Sequence, residues 1–202
     1  MRENLLIDSL PETVTVDGRE FPINSDFRTG ILFELLIYDR TVSNEEKCNL
    51  IFDLYFDRCI DTVPKTEEAV DAILSFYRCG KEAKSEAKKS DEPEEAEQSK
   101  KQIYNYEHDD AYIYAAFYGQ YGIDLNDVQN LHWWKFRALF SALNNDQKIV
   151  EIMGYRGAEL SKIKDKKERQ RIAKMKAIYA LPSNDTPEEK AEKAAALFSG
   201  GI

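Results

Sequence analysis

Leu131-His132-Trp133-Trp134-Lys135-Phe136-Arg137-Ala138-Leu139-Phe140 is the stretch on which the reading of the fold turns. Both tryptophans of the chain stand in it side by side, and from Trp133 to Leu143 only Lys135, Arg137 and Ser141 are polar. A helix that is apolar around so much of its circumference is stable only when it is covered on several sides. It is therefore expected as a helix from about Val128 to Leu143, at the buried centre of a helical lobe. Paired tryptophans beside lysine and arginine also suit a stacking surface for single-stranded nucleic acid, but the helical context favours packing. His132, at the start of this helix, is expected as a core or capping histidine rather than a metal ligand.

Working outward, Asp109 and Asp110 suit the first turn of a helix through Tyr112, Ile113, Ala116, Phe117 and Tyr121, with Gly122 placed for a left-handed cap. After the tryptophan helix, Asn145 or Asp146 restarts a short helix to Met153, stopped by Gly154. Beyond a loop over Gly157 to Ser161, the tract Lys164 to Tyr179 carries Ile172, Met175, Ile178 and Tyr179 at helical spacing, which puts its charges on the opposite face. Thr186-Pro187-Glu188-Glu189 has the form of a capping box with proline at the first helical position, opening an Ala-rich helix up to Ser199-Gly200-Gly201.

Toward the N-terminus, Thr13-Val14-Thr15-Val16 and Arg19-Glu20-Phe21-Pro22-Ile23 flank Asp17-Gly18, the strongest short signal for a β-hairpin. Pro22 cannot donate to a ladder, so the second strand should be an edge or end there. Ser25 or Asp26 caps a helix from about Phe27 to Asp39 that is apolar on more than one face. Ser43-Asn44-Glu45-Glu46 reads as a capping box opening a helix to about Cys59. A third helix starts near Thr66 and stops at Gly80. From Lys81 to Lys101 the chain has no aromatic residue and almost only Lys, Glu, Ala and Ser, a composition that cannot bury enough apolar surface to offset its ordering entropy. It reads as a linker, with a solvated extension of the third helix as the alternative.

The expected fold is thus mainly α: a small N-terminal hairpin plus three helices over residues 1–80, a charged linker over 81–102, and a helical lobe over 103–202. Whether the two lobes pack on each other is open at this stage.

Charge is more informative by region than in total. The chain of 202 residues has a net charge of −9. Residues 1 to 80 hold 8 Lys and Arg against 16 Asp and Glu, giving −8, whereas residues 155 to 181 hold 9 against 3, giving +6. An acidic chain meets phosphate against its own field, which makes nucleic acid an unfavoured partner. The basic residues Lys162, Lys164, Lys166, Lys167, Arg169 and Arg171 are the candidate partner-binding set, read as a solvated helix face or a protein-docking surface.

Signals for chemistry are lacking. His108 and His132 have no second ligand at metal-binding spacing, and there is no phosphate-cradling glycine loop and no nucleophile motif. No catalytic residue, cofactor or metal is expected. Cys48, Cys59 and Cys79 are odd in number and widely spaced, and are expected as small buried hydrophobes in a reducing compartment. No apolar run approaches the roughly eighteen residues of a membrane span, so no membrane partner is expected. The first eight residues carry an acid where a signal peptide has its basic region and are expected not to be one.

The segments DDAYIYAAFYGQYGIDL (Asp109 to Leu125), LHWWKFRALFSAL (Leu131 to Leu143) and EIMGYRGAELSKIKDKKERQRIAKMKAIYALP (Glu151 to Pro182), with VDGREFPINSDFR (Val16 to Arg28), resemble the phage gene-product-fifteen family. Its members are small proteins encoded in the tail modules of long-tailed phages and prophages of Gram-positive bacteria, between the major tail protein and the tape-measure protein. That position implies a non-catalytic tail assembly chaperone with the tape-measure protein and the major tail tube protein as partners and self-association open. It also implies a place in the host cytoplasm and absence from the mature virion. The other readings are a structural tail or connector protein and, less favoured, a DNA-binding regulator. Many tail chaperones are made in short and long forms by ribosomal frameshifting; the break would fall near Lys88-Lys89 or Lys100-Lys101.

Overall fold

In the computed structural model, which describes residues 4–56, 61–81 and 102–182, Asp17 and Gly18 both take positive φ, 50° and 71°. Two successive left-handed residues make the type I′ turn whose twist matches a hairpin. Strands β1 (Thr13–Val16) and β2 (Arg19–Pro22) pair antiparallel, with Val16 opposite Arg19 and Thr13 opposite Pro22. Pro22 is the last residue of an edge strand, where its missing N–H costs nothing.

Seven α-helices follow among the described residues: α1 (Phe27–Tyr38), α2 (Asn44–Tyr55), α3 (Glu67–Tyr77), α4 (Asp110–Tyr121), α5 (Trp133–Ser141), α6 (Lys148–Gly157) and α7 (Lys166–Ile178). The chain is mainly α, as the periodicity indicates. Caps form at the residues that carry the signal. The Asp26 side chain accepts from the Arg28 N–H, Ser43 from Glu46 and Thr66 from Ala69, each satisfying a donor the first turn leaves open. Gly122 ends α4 in the left-handed conformation, φ 66°.

α5 is shorter than its apolar run. Residues 25–27 and 131–133 lie antiparallel, with Phe27 N–H donating to Leu131 C=O and Trp133 N–H to Ser25 C=O, each at 2.8 Å. That pairing holds the chain extended up to His132, so α5 begins at Trp133 rather than near Val128, and α1 and α5 start side by side. His132 caps α5: its Nδ1 accepts from the Trp134 N–H at 3.1 Å. The proton therefore sits on Nε2, which donates to Pro11 C=O at 3.0 Å. Burial, foremost, holds the His132 pKa below the ordinary imidazole value.

The tryptophans reach across the chain. Gly30 in α1 lies so close to the Trp133 ring that a Cβ there would sit 2.2 Å from Cε3 and 2.3 Å from Cδ2. On its other side the Trp133 ring stacks on Tyr77 of α3, centroids 5.3 Å apart. The two indole N–H groups donate to consecutive carbonyls at the end of α3, Trp133 to Tyr77 at 2.9 Å and Trp134 to Phe76 at 2.8 Å. Those are carbonyls that a helix C-terminus leaves without intrahelical donors. Phe136 stacks on Phe27 of α1 and on Phe117 of α4 at 5.1 and 4.9 Å. One apolar core thus runs from Val16, Phe33, Tyr55 and Ile73 through Trp133 and Phe117 to Ile149. The stretches up to residue 80 and from residue 103 share it, which answers the question left open by the sequence. The tryptophan helix is the centre of this common core rather than of a second lobe alone.

Two buried polar networks fasten the packing. Asp109 stands at the N-cap of α4 but makes no cap bond. Its carboxylate instead receives Arg156 of α6 in a two-pronged pair at 2.5 and 2.9 Å, and Arg156 also donates to Tyr179 C=O and Ile103 C=O. This is why Gly154 does not end α6. The helix must continue to place Tyr155 and Arg156 inside, and it runs to Gly157. The second network surrounds Glu34 of α1, which accepts a very short hydrogen bond from Tyr77 and a longer one, 3.4 Å, from Tyr104. Arg137, 3.9 Å away, supplies the nearest positive charge. Burial, partly opposed by those contacts, raises the Glu34 pKa, and burial with the neighbouring carboxylate pushes the Tyr104 hydroxyl up to about 12.

Two further differences from the sequence reading are local. α2 ends at Tyr55, and Cys59 lies outside the described residues. Cys48 is exposed rather than buried, while Cys79 is half-buried. The stretch 82–101 and the Ala-rich segment after Pro182, read as linker and helix, lie outside the described residues.

Gly30→Ala should destabilise the protein by about 1–3 kcal/mol, despite alanine's better helix propensity, because the Trp133 ring must move. Gly154→Ala, whose Cβ meets nothing within 4 Å, should stabilise by about 0.5–1 kcal/mol; denaturant unfolding of both measures the contrast. Asp109→Ala leaves Arg156 buried and unpaired and should cost about 3–5 kcal/mol in the same assay. For Glu34, burial holds the folded pKa above the ordinary carboxylate value. The folded state therefore binds the proton more tightly, and the stability this contributes is full below the unfolded pKa and is lost as pH rises through the folded one. Relative to wild type, Glu34→Gln should gain stability steadily as pH is raised from 4 toward neutrality; a pH-independent difference would contradict this.

Candidate functional site

The basic tract forms a helix because Asp165 caps it, its carboxylate accepting from the Glu168 N–H at 2.7 Å. α7 then runs from Lys166 to Ile178 with no fully buried residue, half-burying Ile172, Met175 and Tyr179. Its hold on the body is polar as well as apolar. The Tyr179 carbonyl receives Arg156, and the Lys176 ammonium reaches Ala158 C=O at 2.5 Å. The Tyr155 and Tyr179 rings stack at 6.1 Å, with Lys148 5.0 Å from the Tyr179 ring.

The six residues singled out in the sequence do not form one face. Lys162 lies in a 3-10 turn (Leu160–Lys162) before α7 and pairs with Glu159 at 2.8 Å. Lys164 lies in the connection and is exposed. Within α7, Lys167 and Arg171 are four residues apart and share an exposed ridge, and Lys174 continues it three residues on. Lys166 flanks this ridge. Arg169 projects from the other side, where its guanidinium reaches Ile163 C=O at 3.4 Å. Arg171 pairs with Glu168 at 2.7 and 2.9 Å, which lowers the Glu168 pKa and raises that of Arg171. Lys164, Lys166, Lys167 and Lys174 carry no ion pair among the described residues.

Lys174 was not in the sequence set, although its place seven residues after Lys167 was the signal for it. Ile178 also departs from expectation. It was read as facing inward, but it is 59% exposed, because the same spacing, four residues after Lys174, carries it onto the basic ridge. The structure therefore offers a solvated row of cations closed at one end by an isoleucine. Such a row suits an acidic protein surface that can cover one apolar side chain.

Three buried polar side chains are engaged within the fold. His132 is committed to its cap and to Pro11, Glu34 is enclosed by tyrosines and Arg137, and Asp109 is bound to Arg156. Among the described residues no cluster of His, Cys, Asp or Glu could hold a metal ion, and no helix is long and apolar enough to cross a membrane.

No curated protein and no solved structure matches the chain. A family model, the Bacteriophage Gp15 protein, matches residues 6–181 and so takes in the hairpin, the tryptophan helix, the Asp109–Arg156 pair and the basic ridge. Since the match spans 176 of the 202 residues (181 − 6 + 1), the chain belongs to the bacteriophage Gp15 protein family.

Proposed function

We propose that this protein is a non-catalytic phage tail assembly chaperone that binds the tape-measure protein, tail-tube subunits, or both, in the cytoplasm of a Gram-positive host, and is left out of the finished virion. The observation that carries the reading is α7. It is a basic helix on an otherwise acidic protein, held to α6 by its inner side, with Lys166, Lys167 and Lys174 committed to no ion pair among the described residues. Charges held on a formed helix meet an acidic surface without a further ordering cost, and they steer the encounter as well. Because both stretches of the chain share one core, α7 and the acidic stretch up to residue 80 belong to one body. One partner is engaged at each, rather than on lobes that swing independently.

Lys166→Glu, Lys167→Glu and Lys174→Glu together should abolish co-purification with one of the two tail partners, spare the other, and leave the thermal melt in place. Retention of both partners would overturn the assignment of α7. Mass spectrometry of purified particles tests the rest: a chaperone is missing from them, whereas a connector is present in fixed stoichiometry. The gene's nucleotide sequence decides the frameshift version, which requires a slippery heptamer at the codons near Lys88-Lys89 or Lys100-Lys101.

A further inference from the structure

Along α1, Arg28, Ile31, Leu32 and Leu35 recur at i, i+3, i+4 and i+7; Ile31 and Leu35 are half-buried at the edge of the core. A helix meets solvent with polar residues, yet beside that edge Leu32 is 52% exposed. Beside this face, between α1 and the start of α4, lies a groove of about 420 Å³. Its walls include Ile31, Tyr114 and Leu125, and Phe27, Tyr106 and Phe136 lie beneath. Tyr118, stacked on Tyr114 and itself exposed, extends the α4 wall by a turn.

Carboxylates outnumber cations around the groove. Asp110 lines it, and Asp124 and Asp127 stand on the loop that carries Leu125 and Asn126. Asp124 takes the Asn126 N–H at 2.9 Å and the Tyr114 hydroxyl at 3.0 Å, which keeps its carboxyl below the usual range and charged at neutral pH. Arg28, the one cation among the lining residues described, is half-exposed, but its guanidinium is committed to the groove's own wall. Its guanidinium donates to Leu125 C=O at 2.8 Å, to Val128 C=O at 3.2 Å and to Asp26 at 3.3 Å. An apolar groove with an excess of carboxylates on its rim fits one kind of ligand by shape and charge.

We propose that the α1–α4 groove is a docking site for an amphipathic helix of a partner protein, one that sets bulky aliphatic or aromatic side chains between Leu32 and Tyr118 and carries lysine or arginine on its flanks. The groove is distinct from α7 and asks for the opposite ligand charge, so the protein offers an acidic apolar site for one helix and a basic ridge for another surface. The aliphatic row on α1 supplies the contact area, and Asp110, Asp124 and Asp127 exclude helices whose flanks are acidic.

The test uses the full chain and two fluorescein-labelled synthetic helical peptides of about eighteen residues. Both carry leucine and phenylalanine at i, i+3, i+4 and i+7, with lysine flanks in one and glutamate flanks in the other. Anisotropy should show the lysine peptide binding roughly tenfold or more tightly than the glutamate peptide. Leu32→Lys and Asp110→Lys, both at exposed positions, should each weaken it by about that factor while cooperative thermal melts report that the protein stays folded. The Lys166, Lys167 and Lys174 charge reversals should leave peptide binding untouched, so a failed α7 assignment does not count against the groove. Equal binding of the two peptides, no binding of either, or no loss in the Leu32 and Asp110 variants would overturn the proposal. So would a concentration-dependent dimer, seen by sedimentation, that Leu32→Lys abolishes, since a second copy would then be the occupant.

Discussion

Trp133 is clamped between a glycine and a tyrosine, and that contact orders most of the molecule. Its ring lies on the bare backbone of α1 at Gly30, stacks on Tyr77, and closes the end of α3 with a hydrogen bond to the Tyr77 carbonyl. Each requirement restricts the others. α1 can approach only because residue 30 has no side chain, and α3 ends where the indoles supply the donors its last turn lacks. The paired segments at Ser25–Phe27 and Leu131–Trp133 then set the depth to which α5 enters. Dispersion forces fall off steeply with separation, so a shift at this joint would be felt in the aromatic contacts that continue through Phe136 to Phe27 and Phe117.

The constraint extends outward from this centre. α4 and α6 are locked by Asp109 and Arg156, an ion pair buried deeply enough that its geometry must be satisfied. That lock sets the platform on which α7 rests, because Arg156 also holds the Tyr179 carbonyl. The same polar network that completes the core therefore positions the basic ridge.

Much of this was legible in the residues. Asp17-Gly18, Ser43, Thr66 and Gly122 are local signals, and each did locally what its chemistry requires. The errors lie where a distant residue decides. Gly154 looks like a helix stop until Arg156 is seen to need Asp109, 47 positions away. The apolar run before Trp133 looks helical until it is paired with residues near 26. Asp109 looks like a helix-start carboxylate because nothing near it announces its partner. For the basic tract, composition located the helix, but separating the Lys167–Arg171–Lys174 ridge from Lys162 and Arg169 required knowing which side packs on α6. Pairing across such separations leaves no periodic trace in the sequence.

The indole bonds also have a meaning in time. Phe76 and Tyr77 precede their tryptophan donors by 58 and 56 residues. At a translation rate of about 5–20 residues per second, that is a delay of several seconds. Throughout it, the nascent hairpin and first three helices hold Phe27, Phe33 and Phe76 with no α5 to cover them. Folding of the N-terminal stretch is thus tied to completion of a much later one, through contacts whose large sequence separation slows the search. A polypeptide ending near Lys88 or Lys100 would remain in that waiting state for good, and would present to other proteins the aromatic surface that the full-length chain keeps for itself.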